Sequence, residues 1–368
     1  MKVIVNGLDL SDATLKVVKA VSTKSTNPIL EGIRFTAKGD TVTLLATDME
    51  IAIEKTIRAE VLQEGETVVP GKYFAEYVKK LEKENQIELY LMENSQLAIR
   101  YADSEGLMQV LSSEDFPDIN REINENSFTL LQKEFKDLIT KTTFCCSQDE
   151  SRPILKGCLF EIKEDELTAV ALDGFRLAVC KKQVSESSGT FQAIVPGRTL
   201  AEISRLIEKE EETVTVRLQK NHLAVEVAGA ALFSRLYEGD FINYKGIIPT
   251  DFVTEVAVNR DQLLTAIDRA SVVAKNDRNN LIKLEIKERT MSVLSNSEIG
   301  NVNETVFIDL EGKDLVIAFN GRYLSDALRA INDDHVYFYF NTAIAPCVIK
   351  PRVGEDYLYL ILPVRINA

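Results

Sequence analysis

The sequence predicts an α+β protein built from three tandem copies of one domain, each copy holding two β-α-β-β-β halves. The first sign is a stretch that occurs three times. VPGKYFAEYVKKLEK, from Val69, returns as VPGRTLAEISRLIEK from Val195 and as FNGRYLSDALRAIND from Phe319. The second sign is that markers outside this stretch return with it. Pro28-Ile29-Leu30 answers Pro153-Ile154-Leu155, Asp48 answers Asp173, and Asp115-Phe116 answers Asp240-Phe241, each by a shift of 125. The third is length. A chain of 368 residues exceeds one ordinary core, and a repeat this long holds a core of its own, which means tandem domains rather than a solenoid.

Taken in order, the first copy begins with a short strand at Lys2–Val5 and a helix over Ser11–Ser22. In that helix Leu15 and Val18 are expected to face inward, with Lys16 and Lys19 outward. Strands are expected at Ile29–Ala37, Thr41–Thr47, Glu50–Arg58 and Glu66–Val69, then the helix of the recurring stretch. Ile87–Met92, Gln96–Ala102 and Leu107–Ser112 alternate apolar and polar residues between short polar turns, the pattern of an antiparallel meander. The acidic segments Asp118–Asn126 and Tyr244–Asp251 read as linkers, which sets the domains at 1–120, 127–247 and 252–368.

A net charge of −14 argues, for the average surface, against nucleic acid. The helices carry a local exception. Lys72, Lys79 and Lys83 stand at i, i+7 and i+11, within roughly 40° of one another around a helix. Arg198, Arg205 and Lys209 repeat the stripe, as do Arg322 and Arg329, with Asp333 in the last place. The first helix of each copy adds Lys16 and Lys19, then Lys133, Lys136 and Lys141, then Arg260, Arg269 and Lys275. On one helix such a stripe reads as a solvated face. In register on three helices it points to contacts with DNA phosphates, which give affinity without reading sequence.

Catalytic chemistry finds little support. His222 and His335 lie in strand-like segments without metal-ligand spacing, and no phosphate-binding or nucleophile-elbow motif occurs. The reading from another class is a Mg²⁺-dependent DNA nuclease using Asp48 and Glu50, but Asp173 repeats Asp48 inside a Leu-Asp-Gly-Phe turn, which favours a turn residue. A third reading is a peptide-binding scaffold indifferent to the stripe charges. No cofactor is implied. The five cysteines are odd in number and read as buried free thiols in a reducing compartment. The N-terminal stretch lacks a sustained apolar core, and no run of 18 apolar residues occurs, so a cytoplasmic protein without membrane partners is expected. The C-terminal YLYLILPVRINA stays apolar beyond its last strand-like residues, where it can form one wall of a groove for a partner peptide.

With the triplication, the basic helices and this tail together, the chain resembles the bacterial DNA polymerase III β subunits, the sliding clamps, over its whole length. The most specific stretches are Ala171-Leu172-Asp173-Gly174-Phe175-Arg176-Leu177-Ala178-Val179, Gln148-Asp149-Glu150-Ser151-Arg152-Pro153-Ile154-Leu155 and Leu362-Pro363-Val364-Arg365-Ile366. The resemblance implies three DNA-clamp domains per chain and a homodimer closing a six-domain ring, helices inside and sheets outside. It implies a non-enzymatic processivity factor that encircles duplex DNA, is placed there by an ATP-driven loader, and is associated with the nucleoid when loaded. Partners would be the replicative polymerase, the clamp loader, other polymerases and repair proteins, all held through short linear peptides.

By the same resemblance Met108, Val272 and Val273 fall at the dimer interface. DNA contacts are expected at Lys24, Gln148 and Arg152, joined through the stripe by Lys79, Lys80, Arg198 and Arg205, and by Lys245. The peptide groove maps to Leu155, Leu172, Gly174, Phe175, Arg176, Leu177, Ile242, Ile247, Ile344, Pro346, Leu360, Leu362, Pro363, Val364 and Arg365. Arg176 and Arg365 are expected at its rim, ready for a carboxylate or carbonyl. The chain departs from the family's usual residues at Leu172, often threonine, Phe175, often histidine, and Ile242, often proline.

Overall fold

The computed structural model describes residues 1–23, 25–275 and 280–365. Among them are six α-helices: α1 (Gly7–Val17), α2 (Gly71–Val78), α3 (Gln132–Thr142), α4 (Gly197–Leu206), α5 (Arg260–Ala274) and α6 (Gly321–Ala330). None is long and apolar enough to cross a membrane. α1 starts earlier than the sequence predicts, at Gly7 rather than Ser11, because Asn6 caps it. The Asn6 Oδ1 accepts from the backbone N–H groups of Leu8 and Asp9 at 2.9 and 3.3 Å, satisfying donors that have no partner within the helix.

The glycine that opens α2, α4 and α6 recurs for a steric reason. A Cβ on Gly71 would stand 2.8 Å from Val21 Cγ2, one on Gly197 3.1 Å from Cys146 Sγ, and one on Gly321 2.8 Å from Ser271 Oγ. In each copy the second helix therefore starts hard against the end of the first.

The chain falls into two compact units, and the boundary between them passes through the middle copy. The first contains residues 1–133, 186–188 and 201–236. It holds a five-stranded sheet ending at Ser104–Gln109 and a nine-stranded sheet in which Ile51–Arg58 of the first copy pairs antiparallel with Ala230–Arg235 of the second. The second unit contains residues 134–185, 189–200 and 237–368. Its twelve-stranded sheet joins the second copy to the third, Arg176–Gln183 pairing with Tyr357–Ile361. One sheet thus runs through each junction between copies.

Two expectations about side chains are corrected. Leu15 is exposed and Lys16 is buried, the reverse of the predicted facing. The amine of Lys16 lies 2.8 Å from Asp12 and 3.0 Å from Glu208, so this cation is spent inside the junction between the first two copies rather than on an open helix face. Lys141, at the same place on α3, is likewise largely covered and pairs with Asp137 at 2.8 Å. The segment from Tyr244 is more than a linker: Tyr244–Ile247 forms a 3-10 turn, and Tyr244 is buried with its hydroxyl donating to Glu161 at 2.6 Å. All five cysteines are free and buried. Burial raises the thiols of Cys145, Cys158 and Cys347 well above their ordinary range and those of Cys146 and Cys180 to about 12.

Candidate functional site

The turn Leu172–Arg176 is shaped by its own residues. Asp173 Oδ1 accepts from the backbone N–H groups of Phe175 and Arg176 at 2.9 and 3.1 Å. Gly174 takes φ +92°, a conformation that strains a residue bearing Cβ. The outcome is a tight corner that thrusts Phe175 outward, 59% exposed, where it stacks on Tyr323 of α6 with ring centroids 6.2 Å apart.

Beneath the corner lies an apolar floor. Leu155, Leu172, Leu177 and Leu360 are all buried in one cluster with Tyr244, Tyr339 and Val348. Ile242 and Ile247 flank Tyr244 in sequence and are exposed, as are Ile344 and Leu362, while Pro346, Pro363 and Val364 are half-buried. The tail is fixed through its main chain. Leu362 N–H donates to the Phe175 carbonyl at 2.9 Å, and Val364 N–H to the Ala318 carbonyl at 2.8 Å. Leu155, Leu172, Leu177 and Leu360 are thus brought together as floor, with Phe175 and Leu362 joined across the tail's first hydrogen bond.

Arg176 does not occupy the rim position expected of it. Its side chain is buried and fully engaged. It donates to Asp173 at 3.0 Å, to Asp326 at 2.7 Å and to the Phe144 carbonyl at 2.7 Å, with the guanidinium 4.5 Å from the Tyr323 ring centroid and 5.4 Å from that of Phe144. Burial opposes its charge, but the two carboxylates more than offset this and hold it protonated. Arg176 is a bolt between the second and third copies, whereas Arg365 is exposed. Tyr323, Asp326 and Phe144 were missed in the sequence. Their only signal is the short i, i+3 spacing of Tyr323 and Asp326 at the start of α6, which gives no hint of a partner 150 residues away.

The cations behave unequally. Lys72, Lys79, Lys80 and Lys83 are exposed and make no ion pair among the described residues. Arg198 and Arg205 are exposed on α4, and Arg205 pairs with Glu202 one turn back. Lys209 pairs with Glu212 at 2.8 Å and Arg329 with Asp268 at 2.9 Å, so the stripe is partly neutralised in the second and third copies. Gln148 and Arg152 are exposed and line an open cleft of about 600 Å³ with Gly174, Phe175 and Tyr323. Lys245 is set apart from them. It lies 3.4 Å from Glu161, on the sheet face that carries Leu159, whereas Phe160 turns to the opposite face and meets Phe135 of α3. Lys24 lies outside the described residues.

Of the residues expected at a dimer interface, Val272 is 65% exposed on α5, Val273 is half-buried beside it, and Met108 is half-buried on Ser104–Gln109. Asp48 and Glu50 sit in a turn in which Asp48 Oδ1 accepts from the N–H groups of Glu50 and Ile51 at 3.1 and 2.9 Å, the turn role its repeat at Asp173 also plays. Among the described residues no group of three or more His, Cys, Asp and Glu is placed to hold a metal ion.

A triplicated α+β chain with sheets continuous through its copy junctions and an apolar corner at the second junction defines a clamp-type protein. Three family models match in succession: the DNA polymerase III beta subunit N-terminal domain over residues 1–120, its central domain over 129–243 and its C-terminal domain over 245–365. The chain is 34% identical over 358 residues to the beta sliding clamp of Staphylococcus epidermidis, 95% of each being covered. Among solved structures it matches a putative DNA polymerase III beta subunit from Eubacterium rectale at 34% identity and TM-score 0.94, and the DNA polymerase sliding clamp from Bacillus subtilis at 32% identity and TM-score 0.95, each over 100% of both chains.

The chain belongs to the DNA polymerase III beta subunit family, the beta sliding clamps. It is a processivity factor without catalytic activity of its own, and the nuclease reading of Asp48 and Glu50 has no support.

Proposed function

We propose that two copies of this chain close head to tail into a ring around duplex DNA, which then holds the replicative polymerase, the loader and repair factors through the corner at Phe175. The observation that carries this reading is a pair of open sheet edges. Each junction inside the chain is sealed by one antiparallel strand pair. Among the described residues, Ser104–Gln109 pairs only with Gln96–Tyr101, and residues 300–307 pair only with Thr290–Ser297. Joining these edges between two copies would repeat the internal junction twice under two-fold symmetry and leave neither edge bare. The exposed Leu107, Val272 and Ile299, with Met108 and Val273, supply apolar area for that joint.

The domains of this reading are 1–120, 127–247 and 252–368. DNA meets Lys79, Lys80, Arg198 and Arg205, with Lys24, Gln148 and Arg152, as phosphate contacts whose affinity falls with salt. The orientation of Lys245 argues against grouping it with them. The groove takes an extended peptide with one or two large apolar anchors, the chemistry of its leucine floor, and Arg365 receives a carboxylate or carbonyl. Such a protein acts in the cytoplasm, on the nucleoid.

The test is retention on DNA of two shapes. Loaded on nicked circular DNA the protein should persist through a salt wash, and it should leave once the circle is cut. Equal retention on both would refute a topological link.

A further inference from the structure

Each junction inside the chain has the same polar element beside its strand pair. Lys16, Lys141 and Arg269 are each the tenth residue of their helices, α1, α3 and α5. At the first junction Lys16 bridges Asp12 of its own copy, 2.8 Å away, and Glu208 of the next, 3.0 Å away. Glu208 stands eleven residues beyond Gly197, the residue that opens α4. At the second junction Lys141 holds Asp137, and Asp137 accepts at 3.3 Å from Asn332, eleven residues beyond Gly321. The element is therefore a cation and an acid on the first helix, which together reach a fixed position past the second helix of the copy that follows, through the cation at the first junction and through the acid at the second.

On α5 the same place holds Arg269, which among the described residues makes its ion pair within its own copy. Its guanidinium is fixed by Glu304, Nε donating at 2.8 Å and Nη2 at 2.6 Å, yet it is 58% exposed where the Lys16 side chain is 8% exposed. Arginine has five donors in a rigid fork, so the pair with Glu304 orients the guanidinium and leaves N–H groups outward. The residue eleven beyond Gly71, in the copy that would come next around a closed ring, is Glu82, and it is exposed.

We propose that Arg269 bridges its own Glu304 and Glu82 of the partner subunit, once at each of the two joints. The inference rests on the two-copy reading above and gives that joint a specific ionic pair beside its apolar residues. The charges are the ones the first junction uses, Arg for Lys and Glu for Glu, although the middle junction has Asn332 instead. Around Glu82 stand Lys80 and Lys83, and around Arg269 stands Asp268, itself held by Arg329. Glu84 lies two residues further on, so Glu82 is one of two acids at its end of the joint, and Glu82 is the one at the repeated position.

The test is a charge-reversal cycle read as the dimer dissociation constant, by sedimentation over a dilution series, on the full chain. Arg269→Glu and Glu82→Arg should each weaken the dimer about ten-fold or more, because each sets like charges together. The double variant Arg269→Glu/Glu82→Arg should return to within about three-fold of the parent, the signature of direct coupling. Arg269→Glu also opposes Glu304 within its own copy. If it melts early, Glu82→Arg against the native Arg269 carries the test alone. Single reversals that dissociate no more than the parent, or a double variant as weak as the two losses combined, would overturn the pair. A parent protein that is monomeric throughout the series would instead overturn the two-copy reading itself.

Discussion

The two junctions inside this chain share a backbone and differ in chemistry. At the first, Arg235 N–H donates to the Glu50 carbonyl at 3.0 Å; at the second, Leu362 N–H donates to the Phe175 carbonyl at 2.9 Å. Glu50 and Phe175 are therefore counterparts, and so are Arg235 and Leu362. Thr47 likewise answers Leu172, and Met49 answers Gly174. The first junction is small in its apolar cluster, built on Ile29, Leu45, Ala52, Val68 and Phe116, and its corner has an open cleft of only about 80 Å³ lined in part by Glu50, Asp118, His222 and Arg235. The second has a leucine floor and leaves large apolar side chains in the open. The comparison teaches that the fold supplies a corner at both junctions, and that the side chains decide whether the corner is polar or apolar.

The sharpest way to break this comparison is to give the second corner the side chains of the first. Phe175→Glu with Leu362→Arg replaces two exposed residues, so the fold should survive. Two apolar anchors of about 2 kcal/mol each are lost, and an apolar-anchored peptide from a polymerase tail should bind at least about a hundred-fold more weakly. Calorimetric titration would read this, and near-parental affinity would place the groove elsewhere. A smaller effect is expected at the bolt. Arg176→Ala strands the Asp173 carboxylate, leaves Asp326 only its longer pair with Arg322 at 3.8 Å, and should cost about 3 kcal/mol in unfolding free energy by denaturant titration. The first junction has Ile51 at this place, and Ile51→Ala should leave no stranded charge behind.

Much of this was legible in the sequence because repetition is visible without coordinates. The copies, the strand–helix order and the turn role of Asp48 and Asp173 all follow from matching stretches and from what Asp and Gly do in a turn. The failures have a common physical cause. Lys16 reads as an exposed cation because α1, taken alone, gives it a polar stripe; only the adjoining copy, with Glu208, buries it. Arg176 reads as a rim cation because its partners Asp326 and Phe144 are distant in the chain and fall under no local period. α1 begins before Ser11 because the Asn6 side chain caps the N–H groups of Leu8 and Asp9, four residues earlier than the apolar periodicity suggests. Local pattern describes a face; long-range contact decides whether that face stays in water.

The last prediction uses the same distinction within one residue type. Lys79 is exposed without an ion pair and Lys16 is buried between two carboxylates, yet both are basic residues of helical stretches. Lys79→Met should leave the unfolding midpoint unchanged and lower the slope of log affinity for DNA against log salt by about 0.9, one phosphate contact fewer. Lys16→Met should do the opposite. Burial lowers the proton affinity of Lys16, but the hydrogen bonds it donates to Asp12 and Glu208 outweigh this, and the net direction is upward. A raised folded-state value means that its stabilisation is fully present below the ordinary lysine range and is lost as pH rises through the folded value. The loss in Lys16→Met should therefore be about 1 kcal/mol at neutral pH, with no change in the DNA salt slope, and should shrink in strongly alkaline solution. If Lys16→Met lowered the salt slope as Lys79→Met does, the cation would be reaching DNA rather than bracing the junction.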